Sequence, residues 1–417
     1  MLETRNKSIR TVAIALNTSW NIYNFRLALI RELRDQGYRV VIIAPRDEYT
    51  QKIEEEGFTC YDIKMNNKGV NPLEDLFLIR SYYKLYKKIR PHVVLNYTIK
   101  PNIYSSLATK KLDIPTINNI TGLGTVFLNN NFSSHIARLL YKISLHKNAV
   151  VFQNKEDMKL FLEKKLVNQP AVTLIPGSGI DMEKFKSITQ EKKDSKFVFL
   201  MIARLIKDKG FEEYIDAIRM IRASSYGEKC TFKILGSLYL SNPTAIDKET
   251  LDGWIEEGII EYLGHSDNVQ EEIEKVDCVV LPSYREGLSR VLLEASSMKK
   301  PIITTNVPGC RDVVDDGVTG YLVETKSSSQ LANAMKKMLN LSVDELNMMG
   351  NKGREKVETH FSEQKIIAKY LSLFYRLGIE GKGQITQNKY VRRNNSSVSV
   401  VHNHFDLSKE QLSQNSI

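Results

Sequence analysis

The chain has 417 residues, 42% of them hydrophobic, with four cysteines and a formal net charge of +10; that length exceeds what one hydrophobic core organises, so two packed domains are expected. Cys60, Cys230, Cys278 and Cys310 are scattered, with no CxxC pair and no histidine at ligand spacing, which argues against a disulfide framework and a zinc site and reads as reduced thiols. The first ten residues are polar, and apolar runs such as Val40 to Ala44 fall far short of the roughly 20 residues a membrane span needs, so a cytoplasmic protein, soluble or peripheral, is expected.

Short β-branched runs alternate with longer helical patterns, the mark of parallel βαβ units. In chain order the strand candidates are Thr11 to Leu16, Arg39 to Ala44, Val93 to Tyr97, Pro115 to Asn119, Ala149 to Gln153 and Val172 to Ile175. Helices are predicted between them, over Tyr23 to Gln36 and Leu73 to Arg90 among others. A polar segment, 187–196, breaks the pattern, and a second series follows with Phe197 to Ile202, Thr231 to Leu235, Cys278 to Leu281 and Pro301 to Thr304. Residues 342–378 read as closing helices. The expectation is α/β: two Rossmann-like domains, 1–187 and 188–360, facing each other across a cleft at the carboxyl ends of their strands. Residues 361–379 are expected to form a helix packing back on the N-terminal domain, and 380–417 a polar tail with little to bury.

Charge is unevenly placed. Residues 76–150 hold eleven Lys and Arg against one acid, Asp113, interleaved with Phe77, Tyr82, Tyr83, Leu85 and Tyr86. A basic, aromatic, amphipathic stretch suits an anionic membrane surface, a nucleic acid or a phosphorylated ligand, and equally a plain solvated helix face.

The strongest local signal is Pro282-Ser-Tyr-Arg-Glu286-Gly287-Leu288-Ser289-Arg-Val-Leu-Leu-Glu294-Ala295. A strand ending at Leu281 runs into a loop that opens a helix, so free N–H groups and a positive helix end meet the cleft, a geometry for a diphosphate. Glu294, two helical turns beyond Glu286 on an otherwise apolar helix, calls for a hydroxyl-rich partner such as a ribose.

The spacing Glu286-x7-Glu294 resembles the paired-glutamate motif of the retaining glycosyltransferase family 4, whose members have the GT-B fold. Three further segments match that family in order: Leu174-Ile-Pro-Gly-Ser-Gly-Ile-Asp181, Ala203-Arg204-Leu-Ile-Lys-Asp-Lys209-Gly210, and Pro308-Gly309 with Gly317-Val-Thr-Gly320. The resemblance implies that Arg204 and Lys209 neutralise a nucleotide diphosphate in place of a metal ion, that Glu286 contacts the donor sugar, and that Glu294 takes the ribose, with Gly287, Leu288 and Ser289 completing the donor site. No DxD motif occurs, and Asp181 with Glu183 reads as a helix-start pair. No cofactor and no metal are expected.

In the first half the candidates for the acceptor side of the cleft are Asn17, Trp20, Asn21, Asn24 and Arg26 after the first strand, Lys100 after the third, and Asn119 and Thr121 at the end of the fourth. These segments resemble a branch that builds capsule, O-antigen or protein-linked glycans on polyprenyl diphosphate. The Gly-Gly pair frequent in the family's first loop is absent, and Thr121 stands near a position where many members carry a histidine, so no acceptor base is assigned. Gly122-x-Gly124 and Gly177-x-Gly179 lack a full dinucleotide fingerprint and read as turn glycines. His265 reads as a loop residue or a neighbour of the base.

The resulting expectation is a retaining transferase moving a hexose or N-acetylhexosamine from a nucleotide sugar, UDP-linked by expectation, to a lipid-linked saccharide at the inner face of the cell membrane. The alternative is a nucleotide-sugar-binding or nucleic-acid-binding protein without activity; it is disfavoured because such a protein is free to lose members of the set Arg204, Lys209, Glu286 and Glu294, and all four are present. An epimerase on the same architecture needs acid and histidine groups on both faces of the sugar, which the motifs lack.

Overall fold

A computed structural model describes residues 9–66, 71–123, 132–168, 171–187, 196–240 and 242–379. The segment expected to link the domains and the polar tail lie almost wholly outside the described residues.

The first sheet has seven parallel strands in the order β3-β2-β1-β4-β5-β6-β7: β1 (Thr11–Ala15), β2 (Arg39–Ala44), β3 (Thr59–Asp62), β4 (Val93–Tyr97), β5 (Thr116–Ile120), β6 (Ala149–Phe152) and β7 (Val172–Leu174). The second has six, in the order β10-β9-β8-β11-β12-β13: β8 (Phe197–Ile202), β9 (Cys230–Leu235), β10 (Glu261–Tyr262), β11 (Cys278–Leu281), β12 (Ile302–Thr305) and β13 (Gly320–Val323). In each sheet the strand order reverses once, between β1 and β4 and between β8 and β11, which opens a crevice at the carboxyl ends of those strands.

Central strands are covered on both faces, which is why they read as largely apolar runs, and the polar Asn96 of β4 and Asn118 of β5 that interrupt them bond to each other. Four predicted strands have the observed bounds, and the others differ by one residue at one or both ends. The strands that prediction missed, β3, β10 and β13, are short and carry part-exposed residues at the sheet edges, where no continuous apolar run is required.

Helix α1 (Ser19–Asp35) starts four residues before its apolar pattern, because the Thr18 hydroxyl accepts from the Asn21 amide at 3.2 Å and caps it. With α2 (Glu48–Glu55) it covers one face of the first sheet. The other face carries α3 (Pro72–Ile89), a π-helical turn (Pro101–Ser105) leading into α4 (Ser106–Lys110), α5 (Phe132–Leu145) and α6 (Lys155–Glu163). In the second half α7 (Phe211–Arg222), α8 (Lys248–Glu256), α9 (Val269–Glu274), α10 (Arg290–Ser297), α11 (Ser328–Leu339) and α12 (Val343–His360) surround the second sheet.

The last helix, α13 (Glu363–Arg376), leaves the second domain at the Ile180–Ser362 bridge and lies beside α1. Ile366, Tyr370, Leu373 and Phe374 sit in the same core cluster as Val12, Ile14 and Leu95, and the Tyr38 hydroxyl donates to the Ile379 carbonyl at 2.8 Å. The cysteines are unbonded, and burial pushes the thiols of Cys230 to about 11 and Cys310 to about 12, away from reactivity.

Candidate active site

The donor-side residues come together at the carboxyl ends of β8, β11 and β12. After β8 the chain turns through Lys207–Lys209 into α7, and the Lys209 ammonium forms an ion pair with the Glu286 carboxylate, each side chain 16% exposed. Arg204, five residues earlier, lays its guanidinium over the Tyr239 ring at 5.0 Å. The Glu286–Ser289 loop is pinned from below: the Glu286 amide donates to the Pro308 carbonyl at 3.2 Å and the Ser289 amide to the Gly309 carbonyl at 2.9 Å. Gly309 has φ +78°, and a Cβ there would stand 2.5 Å from the Glu286 carbonyl oxygen, so this contact requires glycine. Ser289 then starts α10 with no side-chain cap, leaving the first-turn N–H groups without a side-chain acceptor from this residue.

Glu294 is 8% exposed. The sequence called for a hydroxyl-rich partner; the structure gives it Arg290 one turn earlier on α10, Nε to Oε1 at 3.0 Å. Burial pushes the Glu294 carboxyl up, against the opposing pull of Arg290. Arg290 also donates to the Ser178 hydroxyl at 3.0 Å and the Gly179 carbonyl at 3.2 Å, and lies 5.0 Å over the Phe25 ring of α1. Sequence reading passed over Arg290, although its i,i+4 spacing to Glu294 was visible.

The two domains touch at this loop. The Asn154 amide donates to the Gly287 carbonyl at 2.8 Å, and Arg285 and Arg311 pair with Asp157 and Glu156 at the start of α6. A Cβ on Gly122 would stand 3.8 Å from the Gly287 Cα, and Leu288 fills the space beside Gly177. Asn154, Glu156 and Asp157 carried no motif, and only the approach of the domains singles them out.

The acceptor-side candidates divide. Asn17, at the end of β1, is half-buried; Trp20 is 44% exposed and meets Phe25 edge to face at 5.2 Å; Asn21 contributes its amide to the α1 cap, and Asn24 donates to the Trp20 carbonyl at 2.9 Å. Arg26 is 5% exposed, with its guanidinium over the Tyr97 ring at 4.3 Å. Thr121 lines a cavity of about 270 Å³ with Thr98, Ile99, Asn102, Gly122 and Tyr141.

Two candidates sit differently from expectation. Asn119 does not line the cleft: it is 2% exposed, its Oδ1 accepts from the Tyr370 hydroxyl at 2.7 Å and its Nδ2 donates to the Asn96 carbonyl, because a polar side chain under α13 must be fully bonded. Lys100 pairs with Asp75 at 2.9 Å in a separate groove of about 680 Å³ that also includes Arg46, Lys64 and Phe77. Gly124 lies outside the described residues. His265 is exposed, and Asp181 accepts from the amides of Glu183 and Lys184 as a turn cap. Among the described residues no group of three or more His, Cys, Asp or Glu is arranged to hold a metal ion, and no helix is long and apolar enough to cross a membrane.

Two doubly wound parallel domains, facing each other across a crevice with a basic residue, a glutamate and an uncapped helix start on one wall, define the GT-B class of sugar-transferring enzymes. Residues 12–155 match the glycosyl transferase 4-like family and residues 182–356 the glycosyl transferases group 1 family, and the chain belongs to these glycosyltransferases. It is 27% identical over 374 residues, 86% of this chain and 96% of the relative, to the N,N'-diacetylbacillosaminyl-diphospho-undecaprenol alpha-1,3-N-acetylgalactosaminyltransferase of Campylobacter jejuni. It is 26% identical over 321 residues, 74% of this chain and 81% of the relative, to the UDP-Gal:alpha-D-GlcNAc-diphosphoundecaprenol alpha-1,3-galactosyltransferase of Escherichia coli. Among solved structures, a glycosyltransferase of Rickettsia africae superposes with a TM-score of 0.73 at 19% identity, over 88% of this chain and 98% of that one. Anabaena HepE, solved with UDP and glucose, gives 0.73 at 15% identity, over 88% of this chain and all of that one.

Proposed function

We propose that the enzyme transfers a hexose or N-acetylhexosamine from a UDP-sugar, with retention of configuration, to a saccharide carried on polyprenyl diphosphate in surface-polysaccharide or glycan assembly. The observation that carries this reading is the junction of Lys209 and Glu286 on a loop that meets Thr121 and Gly122 of the facing domain, because it unites a phosphate-binding cation, a hydroxyl-binding carboxylate and the acceptor wall. The relatives in Campylobacter and Escherichia, whose names specify diphospho-undecaprenol acceptors and in one case a UDP donor, support the substrate classes. In this mechanism Arg204 and Lys209 stabilise the charge that grows on the departing diphosphate, and Glu286 orients the donor hydroxyls. The cations take the role a metal ion has in other transferases.

The test is product analysis with a panel of UDP- and GDP-sugars and a polyprenyl-diphosphate saccharide. A lipid-linked product whose new linkage keeps the donor's anomeric configuration is expected, at a rate unchanged by EDTA. An inverted linkage refutes the retaining mechanism, and activity that EDTA abolishes and Mn²⁺ or Mg²⁺ restores refutes the metal-free one.

Peripheral attachment to an anionic leaflet is part of the same reading. Helices α3 and α5 lie on one face of the first sheet, and both leave apolar residues in solvent beside exposed cations. On α3, Leu73, Leu76 and Phe77 are 64 to 69% exposed, followed by Arg80, Lys84, Lys87 and Lys88; on α5, Ile136, Leu139 and Ile143 recur beside Lys142. Apolar insertion and about 1 kcal/mol for each cation near the surface give salt-sensitive adsorption. Wild type is expected to float with anionic vesicles at low salt and come off at high salt, and a Lys84→Glu, Lys87→Glu, Lys88→Glu variant to float less. Equal flotation of the two proteins counts against this surface.

A further inference from the structure

The chain passes between the domains twice, and the two crossings lie side by side. Ile175 packs in a core of the first domain and Ile180 in that of the second, and the return runs from Phe361 in the second to Ile366 in the first. The Ile180 amide donates to the Phe361 carbonyl at 2.9 Å and the Glu363 amide to the Ile180 carbonyl at 3.0 Å, which ties the crossings into one narrow joint. Beyond it, α13 buries its apolar side chains on the face of the first sheet that carries Val12 and Ile14. The donor loop meets the first domain at the start of α6, whose Phe161 packs with Ala13 and Ala15 on the opposite face. Domains joined by a narrow strip on one side rotate about it unless a contact on the other side holds them.

That contact is polar and directional. Asn154 caps α6 by accepting from the Asp157 amide at 2.8 Å, and its Nδ2 donates both to the Asp157 carboxylate at 3.1 Å and, across the seam, to the Gly287 carbonyl at 2.8 Å. Asp157 in turn pairs with Arg285. Both residues on the acceptor side are buried, Asn154 at 2% and Asp157 at 1% exposure. The neighbours of Glu286 on either side, Arg285 and Gly287, are therefore each bonded to the first domain. Burial pushes the Asp157 carboxyl up against the pull of Arg285, so desolvation takes back much of what the pair gains. A contact of this kind contributes little cohesion; its directional bonds fix where the loop sits.

We propose that Asn154 and Asp157 are positioning residues of the transfer reaction: from the acceptor domain they hold Gly287 and Arg285, and through them set Glu286 of the donor loop in place against the acceptor. This rests on the role of Glu286 in the proposed function. The second domain then binds the nucleotide by itself, and becomes competent for transfer only when its loop is seated on α6. Neither residue touches the reacting atoms, so their loss acts on the alignment of donor and acceptor, to which rate is steeply sensitive, and not on nucleotide affinity.

The test compares wild type with Asp157→Asn, which keeps the side-chain shape and the helix cap, and with Arg285→Met, which removes the partner from a side chain that is 27% exposed. Each variant is expected to lower turnover at saturating donor and acceptor at least tenfold, with the donor KM within about threefold of wild type and UDP affinity by calorimetry within about twofold. The double variant is expected to lose no more than either single one, since all three remove the same contact. Solution scattering on UDP-saturated protein is expected to show both single variants more open than wild type. Any of four results overturns the proposal: turnover within threefold of wild type, UDP affinity lost in parallel with turnover, additive losses in the double variant, or scattering identical to wild type. A lower melting temperature with wild-type turnover and scattering marks a merely structural contact and overturns it as well. Scattering uses UDP alone, with neither sugar transfer nor lipid, so it reports on the seam independently of the transferase assay.

Discussion

Replacing Lys209 by alanine is expected to lower turnover by about three orders of magnitude, and Arg204→Ala by about two, with the fold intact in both. The chemistry releases a nucleoside diphosphate, whose negative charge grows as the sugar bond breaks, and a fixed cation stabilises that change more than it stabilises the bound donor. Lys209 has a second effect that Arg204 lacks. Its ammonium is the ion-pair partner of Glu286, so its loss leaves an uncompensated carboxylate beside the phosphates and adds repulsion to the missing attraction. Arg204 lies at the exposed side of the site on Tyr239, where water replaces part of its charge. Initial rates with saturating donor, alongside circular dichroism, check both. The Lys209→Ala, Glu286→Gln double variant is expected to lose much less than the sum of the single losses, since the two groups act as one unit. Rates within threefold of wild type for Lys209→Ala would remove the basis for the donor site.

Gly287→Ala is expected to reduce activity by about two orders of magnitude while leaving UDP binding to the second domain close to normal. A Cβ at this position would stand 2.3 Å from the Thr121 carbonyl oxygen and 2.8 Å from Gln153 Oε1. The nearer group is backbone and has no rotamer to move into, so the domains must separate along the seam held by Asn154, Asp157 and Glu156. A shift of about 1 Å between donor and acceptor is enough to cost about a hundredfold in rate. Solution scattering should show a more open molecule than wild type under the same conditions, and calorimetry should show UDP affinity within a few-fold. Full activity in the alanine variant would mean that catalysis does not require this closed approach.

The α/β class and the positions of most strands were legible in the sequence because a strand covered on both faces is mostly apolar, as in Val40–Ala44 and Cys278–Leu281. The motif around Glu286 and Glu294 was legible for a similar reason: a strand end, a glycine loop and a helix start are local, and their order in the chain is their order in space. The basic character of α3 was equally open to reading, since composition is independent of folding.

Pairings between distant residues were not legible. Lys209 and Glu286 are 77 positions apart, and nothing in either segment states that the turn after β8 meets the loop after β11; adjacency of those strands in the sheet decides it. The edge strands β3, β10 and β13 escaped because half-exposed residues carry no apolar signal. Asn119 looked like a cleft residue from its place at a strand end, but α13 returns from the far end of the chain to cover it and turns its amide to Tyr370. Arg26 looked like one more polar residue of an opening loop, and only the packing of α1 on Tyr97 made it a buried cation without a carboxylate. Local sequence determines which elements form and where the glycine loop between β11 and α10 lies, because those depend on neighbours a few residues away. Charge compensation and domain contact depend on which surfaces meet, and the tertiary structure alone decides that.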